Sequence, residues 1–327
     1  MSEPFFIVGC PRSGTTILRD LLRAHPNLTV ALESHFVVRF YRAYGDPRNE
    51  AEARRLATAI LGTVWIRAWE LDLQAEDFAS CRSYREILDR LFGAWAQREH
   101  KPRWGDKTPD YLADMPTLLR IYPQAKFIHI YRDGRDVAIS WLEKQFGPRN
   151  LYVAAEMWRD RVIAGRRAGA TLPSSQYLEV RYASLLEQPE TVMRTICEFL
   201  GEPFCPDVLR PNLAWRGRPS HNRGQVEESI AEEILRDNAG KWKTRLSSSE
   251  IELFESVAGE LLSTLGYGTS GRTRPIRLGE RLVWRSQHWV LYWTYRLARM
   301  GDAELRRTFW QFRWAESRSR WRDRTTP

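Results

Sequence analysis

FFIVGCPRSGTTILRDLL, residues 5–22, decides the fold. An apolar run leads into a loop with two glycines, and the loop leads into a helix. A strand, a glycine loop and a helix in that order form a cradle for phosphate. Gly9 and Gly14 keep the spacing of G-x-x-x-x-G-K-[ST], but Thr15 stands where that pattern has its lysine, and Arg12 lies inside the loop. In nucleoside triphosphatases the lysine reaches the β- and γ-phosphates and the next hydroxyl holds magnesium. Nor does a strand ending in an acidic residue follow, because the next clear strand ends at Arg132. The loop therefore reads as a metal-free anion site. Backbone N–H groups at the helix start and the hydroxyls of Thr15 and Thr16 are its donors, glycine and serine let a ligand approach closely, and Arg12 is its positive electrophile. The alternative is a tight structural turn.

Working outward, strand–turn–helix steps recur. AKFIHIY (125–131) is followed by RDGRDVAISWLEK, and SQYLEVRY (175–182) is a third strand. Helices are expected after HPNL, over 51–71, over 84–97 behind a capping-box-like SYRE, over PETVMRTICEFLG up to Gly201, and over 249–265. KPRWGDKTPDYL (101–112), with two prolines and a glycine, reads as a loop. Strands separated by helices predict an α/β fold, a parallel sheet with helices on both faces. Ligands in such folds lie at the carboxyl ends of the strands. Arg132 closes the second strand, Asp133 caps the next helix, Ser140 lies about two turns along it and Lys144 one turn further. An arginine at a strand end and a hydroxyl on the following helix can clamp a second phosphate; the alternative is a charged helix start. The two turns together point to a nucleotide with phosphate at two places.

The 327 residues suffice for one large domain or two small ones, and 43% hydrophobic with 28% charged residues is ordinary for a globular chain. Four cysteines without C-x-x-C spacing suit a reducing compartment and no structural zinc. The start of the chain lacks a basic leader, and no apolar run is long enough to span a bilayer, so a soluble, cytoplasmic protein is expected. Six lysines against 44 arginines suggest a GC-rich bacterial genome. The net charge of +9 resides wholly in residues 271–327, which hold 14 arginines, five acidic residues and six of the 14 tryptophans. The expected division is a domain over 1–270 and a basic helical extension over 271–327. RLVWRSQHWVLYWTYRLARM and DAELRRTFWQFRWAESRSRWRDR in that extension fit two readings. One is a helical hairpin docked on the body or on a second subunit of a homodimer, which is preferred. The other is an interfacial helix making peripheral contact with an anionic membrane. No nucleic-acid recognition motif is present, and no nucleic acid is expected.

PRSGTT, HPN…LES, DKTP, YRDGRDVAIS, VRYASLLEQPETVMRTICEFLG and a late GKW follow one another in order. Together they resemble the sulfotransferases that use 3′-phosphoadenosine 5′-phosphosulfate (PAPS), most closely the tyrosylprotein-type and bacterial ones in motif layout, over roughly residues 5–267. The resemblance implies a P-loop NTPase-like sulfotransferase fold and transfer of a sulfuryl group to an acceptor hydroxyl. Adenosine 3′,5′-bisphosphate would be released, and no metal would be needed. It implies that Arg12, Ser13, Gly14, Thr15 and Thr16 bind the 5′-phosphosulfate, that Arg132, Ser140 and Lys144 bind the 3′-phosphate, and that Tyr182 meets the adenosine or else packs at a strand end. Glu33 would be the catalytic base, with His35 as rival and His25 structural. Lys107, oriented by Asp106, would join Arg12 in catalysis by steadying the departing oxygen and the sulfuryl group. Ser220 and Asn222 would touch the sulfonate, and Arg223 and Lys241 would be the basic residues of the late segment. The acceptor stays open among a carbohydrate or other glycan, a glycolipid, a small phenolic or polyketide metabolite and a peptide tyrosine. One rival reading is a P-loop-type small-molecule kinase, opposed by the missing lysine. Another is a non-catalytic nucleotide-binding module, opposed by Glu33 and Lys107.

Overall fold

The computed structural model describes residues 3–144, 147–210 and 238–299. Five parallel strands make one sheet: β1 Phe5–Gly9, β2 Leu28–Ala31, β3 Arg103–Lys107, β4 Lys126–Tyr131 and β5 Tyr177–Arg181, in the spatial order β2-β3-β1-β4-β5. The connecting helices are α1 Thr15–Ala24, α2 Val37–Tyr44, α3 Glu50–Leu61, α4 Val64–Arg67, α5 Tyr84–Arg98, α6 Met115–Ile121, α7 Gly134–Leu142 and α8 Leu151–Gly169. Then come α9 Tyr182–Glu187, α10 Pro189–Leu200, α11 Trp242–Arg245, α12 Ser248–Thr264 and α13 Leu278–Arg299. Parallel pairing brings every strand back in the same direction, so all five carboxyl ends share one edge.

A parallel sheet is buried on both faces, which is why β1 reads as an unbroken apolar run. Phe5 and Ile7 join Leu18, Leu21 and Leu22 of α1 and Ile196 of α10 on one face. Phe6 and Val8 join Phe92 of α5 and Leu118 of α6 on the other. Helix ends follow local chemistry. Ser83 caps α5 by accepting from the Glu86 amide, although the Glu86 carboxylate accepts from Arg82 N, one residue outside a true capping box. Gly201 ends α10 in the left-handed conformation, at φ 80°.

Two strands were not legible. KPRWGDKTPDYL is not simply a loop: Arg103–Lys107 is β3, buried along its whole length in the sheet. Three of its five residues are charged, and buried charge is tolerated only where it is paired. Arg103 donates to Leu200 O at 2.7 Å and to Glu202, Asp106 accepts from Ser34 and Thr108, and Lys107 donates to Glu33. All of these partners except Thr108 come from distant parts of the chain. Gly105 is needed for close packing, because a Cβ there would lie 2.5 Å from the Phe5 ring. Leu28–Ala31, expected to lie at the start of helical material, is β2; four residues are too few to show a period.

The extension begins as expected with a helix. α13 lies along α8: Asn150 Nδ2 donates to Trp284 O at 2.8 Å, Arg285 pairs with Glu156 at 2.7 Å, and the Tyr152 and Trp284 rings are 4.9 Å apart. Its second segment, residues 302–324, lies outside the described residues.

Candidate active site at the carboxyl edge of the sheet

The loop after β1 turns through two left-handed residues, Arg12 at φ 75° and Gly14 at φ 96°. Glycine is required at the second. A Cβ on Gly14 would lie 2.3 Å from the Tyr182 ring, so the loop backbone rests directly on that ring. α1 starts without a side-chain cap and without an acidic residue in its first turn. Its leading N–H groups are therefore open to an external anion. The buried Ser13 Oγ has no protein partner. α7, on the neighbouring strand, differs: Asp133 caps it and Asp136 lies in its first turn. Of the two helix starts, only that of α1 is equipped for an anion.

Arg132, at the end of β4, is buried beside this loop. Its guanidinium lies 4.8 Å from the Tyr182 ring centre, donates to Arg12 O at 3.4 Å and to Asn238 O, and leaves Nε buried without a partner. Arg12 Nε donates to Ser140 Oγ at 2.9 Å. Side chains expected on opposite phosphates thus meet across one short gap. The late GKW segment crosses the start of α7: Asp136 accepts from Gly240 N at 2.8 Å and Trp242 N at 3.0 Å, and Arg135 stacks 3.5 Å from the Trp242 ring centre. Lys241 sits exposed on that turn. Lys144 does not extend the helix by a further turn, because α7 ends at Leu142; it is carried on the turn that follows. Ser220, Asn222 and Arg223 lie outside the described residues.

The second half of the site comes from β2 and β3. Glu33, two residues past β2, reaches Lys107 at the end of β3. Its other oxygen meets His35 Nε2 at 2.7 Å. His35 adopts φ 52° and its ring lies 5.1 Å from that of Trp65. Asp106 does not orient Lys107. Successive strand residues face opposite sides of a sheet, and Asp106 instead accepts from Ser34 Oγ at 2.6 Å and Thr108 Oγ1 at 3.0 Å. Tyr111 extends this network with its hydroxyl 2.9 Å from Ser34 Oγ. Sequence reasoning missed Ser34, Thr108 and Tyr111, which brace the backbone around Glu33. His25 is structural, as expected, with Pro203 O and Asn27 N as its partners.

The family model described as "Sulfotransferase family" matches residues 4–206. The chain belongs to the sulfotransferase family. It is a PAPS-dependent sulfotransferase. Among its relatives, protein-tyrosine sulfotransferase A of Caenorhabditis elegans is 26% identical over 275 residues, covering 81% of this chain and 68% of that one. Protein-tyrosine sulfotransferase 1 of Homo sapiens is 26% identical over 278 residues, covering 80% and 69%. The sulfotransferase domain of the Synechococcus PCC 7002 olefin synthase superposes with a TM-score of 0.56 at 26% identity, covering 82% of this chain and 97% of that domain. The sulfotransferase domain from the curacin biosynthetic pathway shares the fold, with a TM-score of 0.58 at 23% identity, covering 82% and 99%.

The electrostatics of this sulfotransferase centre on Glu33. Burial alone would raise its pKa, but the His35 hydrogen bond and the Lys107 charge outweigh burial and hold it down at about 2. Burial pushes the Lys107 ammonium down, partly offset by Glu33. Burial raises Asp106 to about 6 despite its hydroxyl donors. At neutral pH the sulfotransferase therefore presents an ionised carboxylate whose two oxygens are both engaged.

Proposed function

We propose that the enzyme transfers the sulfuryl group of PAPS to an acceptor hydroxyl with Glu33 as general base, Lys107 and Arg12 as transition-state cations and no metal. The observation that carries this reading is the juxtaposition, on one sheet edge, of an uncapped phosphate loop and a carboxylate–lysine pair. The donor supplies an activated sulfur whose bond to phosphate oxygen breaks as the acceptor oxygen bonds to it. Ser13, Gly14, Thr15, Thr16 and the leading amides of α1 hold the 5′ end; the partnerless Ser13 Oγ fits that role. Arg132, Ser140 and Lys144 hold the 3′-phosphate, and Tyr182, already against Gly14 and Arg132, carries the adenosine. Lys107 leaves Glu33 for the oxygen on which charge grows, and that exchange frees one carboxylate oxygen to take the acceptor's proton. The acceptor carries a hydroxyl, and a tyrosine phenol is the first to try, given the relatives' names. We divide the chain into a catalytic domain over 1–270 and an accessory extension over 271–327. Four free cysteines suit a reducing compartment, and we assign the enzyme to the cytoplasm.

Calorimetry tests the donor site. Adenosine 3′,5′-bisphosphate binds more tightly than ADP or ATP and does so in EDTA; tight ATP binding that needs magnesium would favour a kinase instead. Arg132→Ala then weakens bisphosphate binding by about 1.5–3 kcal/mol, the range for a hydrogen bond to a charged group. That is roughly tenfold to over a hundredfold in Kd. A nucleotide lacking the 3′-phosphate binds the variant about as it binds the parent. Equal losses for both ligands would make Arg132 a structural residue.

A further inference from the structure

We propose that Asp106 is a positioning residue for the catalytic base: through Ser34, Thr108 and Tyr111 it holds the turn at His35 that aims the Glu33 carboxylate. The inference rests on the reading of Glu33 as the base. His35 has a φ of 52°, and Phe36 N donates back across it to Ser34 O at 2.6 Å. A three-residue turn about a residue with positive φ is rare and strained, and it persists only where its surroundings hold it. Here both ends are held. Ser34 N donates to Thr108 Oγ1 at 3.0 Å, and Val37 N, the first amide of α2, donates to the Tyr111 hydroxyl at 3.0 Å. Phe36 gives α2 no side-chain cap, so Tyr111, 74 positions away, takes over that task.

The protons of these buried hydroxyls run in one direction. Ser34 gives its hydroxyl proton to Asp106 Oδ2 at 2.6 Å, so the Tyr111 hydroxyl is the donor in the 2.9 Å bond to Ser34 Oγ. Thr108 gives its own to Asp106 Oδ1 at 3.0 Å. Both branches end on one carboxylate, which accepts and does not donate when ionised. Among the described residues no lysine or arginine pairs with Asp106, although Lys107 is its chain neighbour. A buried carboxylate without a countercharge is costly, and packing alone gives no reason to keep one. Thr108 carries a similar mark. It stands at the N-cap position of the 3₁₀ turn Pro109–Ala113, where a threonine commonly bonds the turn's own amides, yet its hydroxyl makes no such bond. That hydroxyl is committed to Ser34 and Asp106 instead. Adjacent residues of β3 therefore serve the base from opposite faces. Lys107 meets Glu33 directly, and Asp106 fixes the backbone from which Glu33 and His35 reach each other at 2.7 Å.

The test measures kcat, the KM for PAPS and the calorimetric Kd for adenosine 3′,5′-bisphosphate on the full chain, with p-cresol, the tyrosine side chain as a free phenol, as acceptor. Thr108→Val keeps the β-branched shape and deletes the hydroxyl. It lowers kcat by about tenfold to a hundredfold, the scale of a misplaced catalytic group, and leaves the KM for PAPS and the Kd at parent values. Thr108→Ser keeps the hydroxyl and most of the parent's kcat. Asp106→Asn also lowers kcat, because one hydroxyl proton loses its acceptor whichever way the amide turns. In a Glu33→Gln background Thr108→Val costs much less than it does alone, since it acts through that carboxylate. Three results overturn the proposal. Thr108→Val or a folded Asp106→Asn keeps the parent's kcat, kcat and Kd worsen together, or the loss from Thr108→Val multiplies in full with that from Glu33→Gln. A parent-level kcat for Glu33→Gln itself would overturn the base assignment on which this proposal rests, a failure distinct from the other three.

Discussion

Glu33→Gln lowers kcat by about 10²–10⁴-fold and leaves bisphosphate affinity close to that of the parent. A positioned base contributes about that factor when the nucleophile is a weakly acidic hydroxyl. Glutamine keeps the shape of the side chain and still offers Lys107 a carbonyl oxygen, with its amide NH2 turned to His35, but it has no basic oxygen for the acceptor's proton. The substitution has a second, diagnostic effect. Glu33 opposes the burial that pushes the Lys107 ammonium down. Without that anion Lys107 loses its proton more readily, and the residual activity falls off at lower pH on the alkaline side than it does in the parent. His35→Ala removes one hydrogen bond from the carboxylate and costs less. The assignment is wrong if His35→Ala abolishes turnover while Glu33→Gln does not; the pair then works with Glu33 orienting and His35 accepting. Steady-state kcat and calorimetric Kd on the three proteins decide it.

Lys107→Met lowers kcat by about 10²–10³-fold, the range for removing one preorganised donor from a developing charge. Its side chain is almost wholly enclosed at the end of β3, so its charge acts in a medium poorer than water. The signature is again in the pH profile. Glu33 is held at about 2 against its own burial by the His35 hydrogen bond and the Lys107 charge. Remove the lysine and burial gains, so the Glu33 pKa rises and the acid limb of kcat moves to higher pH. The sign for stability agrees. A carboxylate with a depressed pKa stabilises the native state above its unfolded pKa, and that contribution is lost as pH falls toward about 2. The Met variant therefore loses less stability on acidification than the parent does, measured by denaturant titration at neutral and acid pH. An unchanged acid limb would show that Lys107 does not set the state of Glu33.

The parts of this enzyme that the sequence determined are those whose causes lie within a few residues. β1, the loop and α1 are contiguous. Gly9, Gly14 and the absent lysine announce a phosphate site of another kind because spacing alone shapes such a loop. Asp133 caps α7 two residues from its partner amide at Arg135, and Gly201 ends α10 by its own backbone freedom. Only the tertiary structure decided the rest. β3 carries Arg103, Asp106 and Lys107 into the sheet because Leu200, Glu202, Ser34 and Glu33 arrive from far along the chain to receive them. The strand order β2-β3-β1 sets the Glu33–Lys107 pair beside the phosphate loop, while the two-residue period of β3 turns Asp106 to the other face. The Arg12–Ser140 bond spans 128 positions and exists because β4 pairs with β1. In α13 the sequence shows tryptophan and arginine mixed around the helix. Which residues meet α8 follows from packing, since hydrophobic burial is non-directional and takes whichever apolar face the neighbouring surface fits.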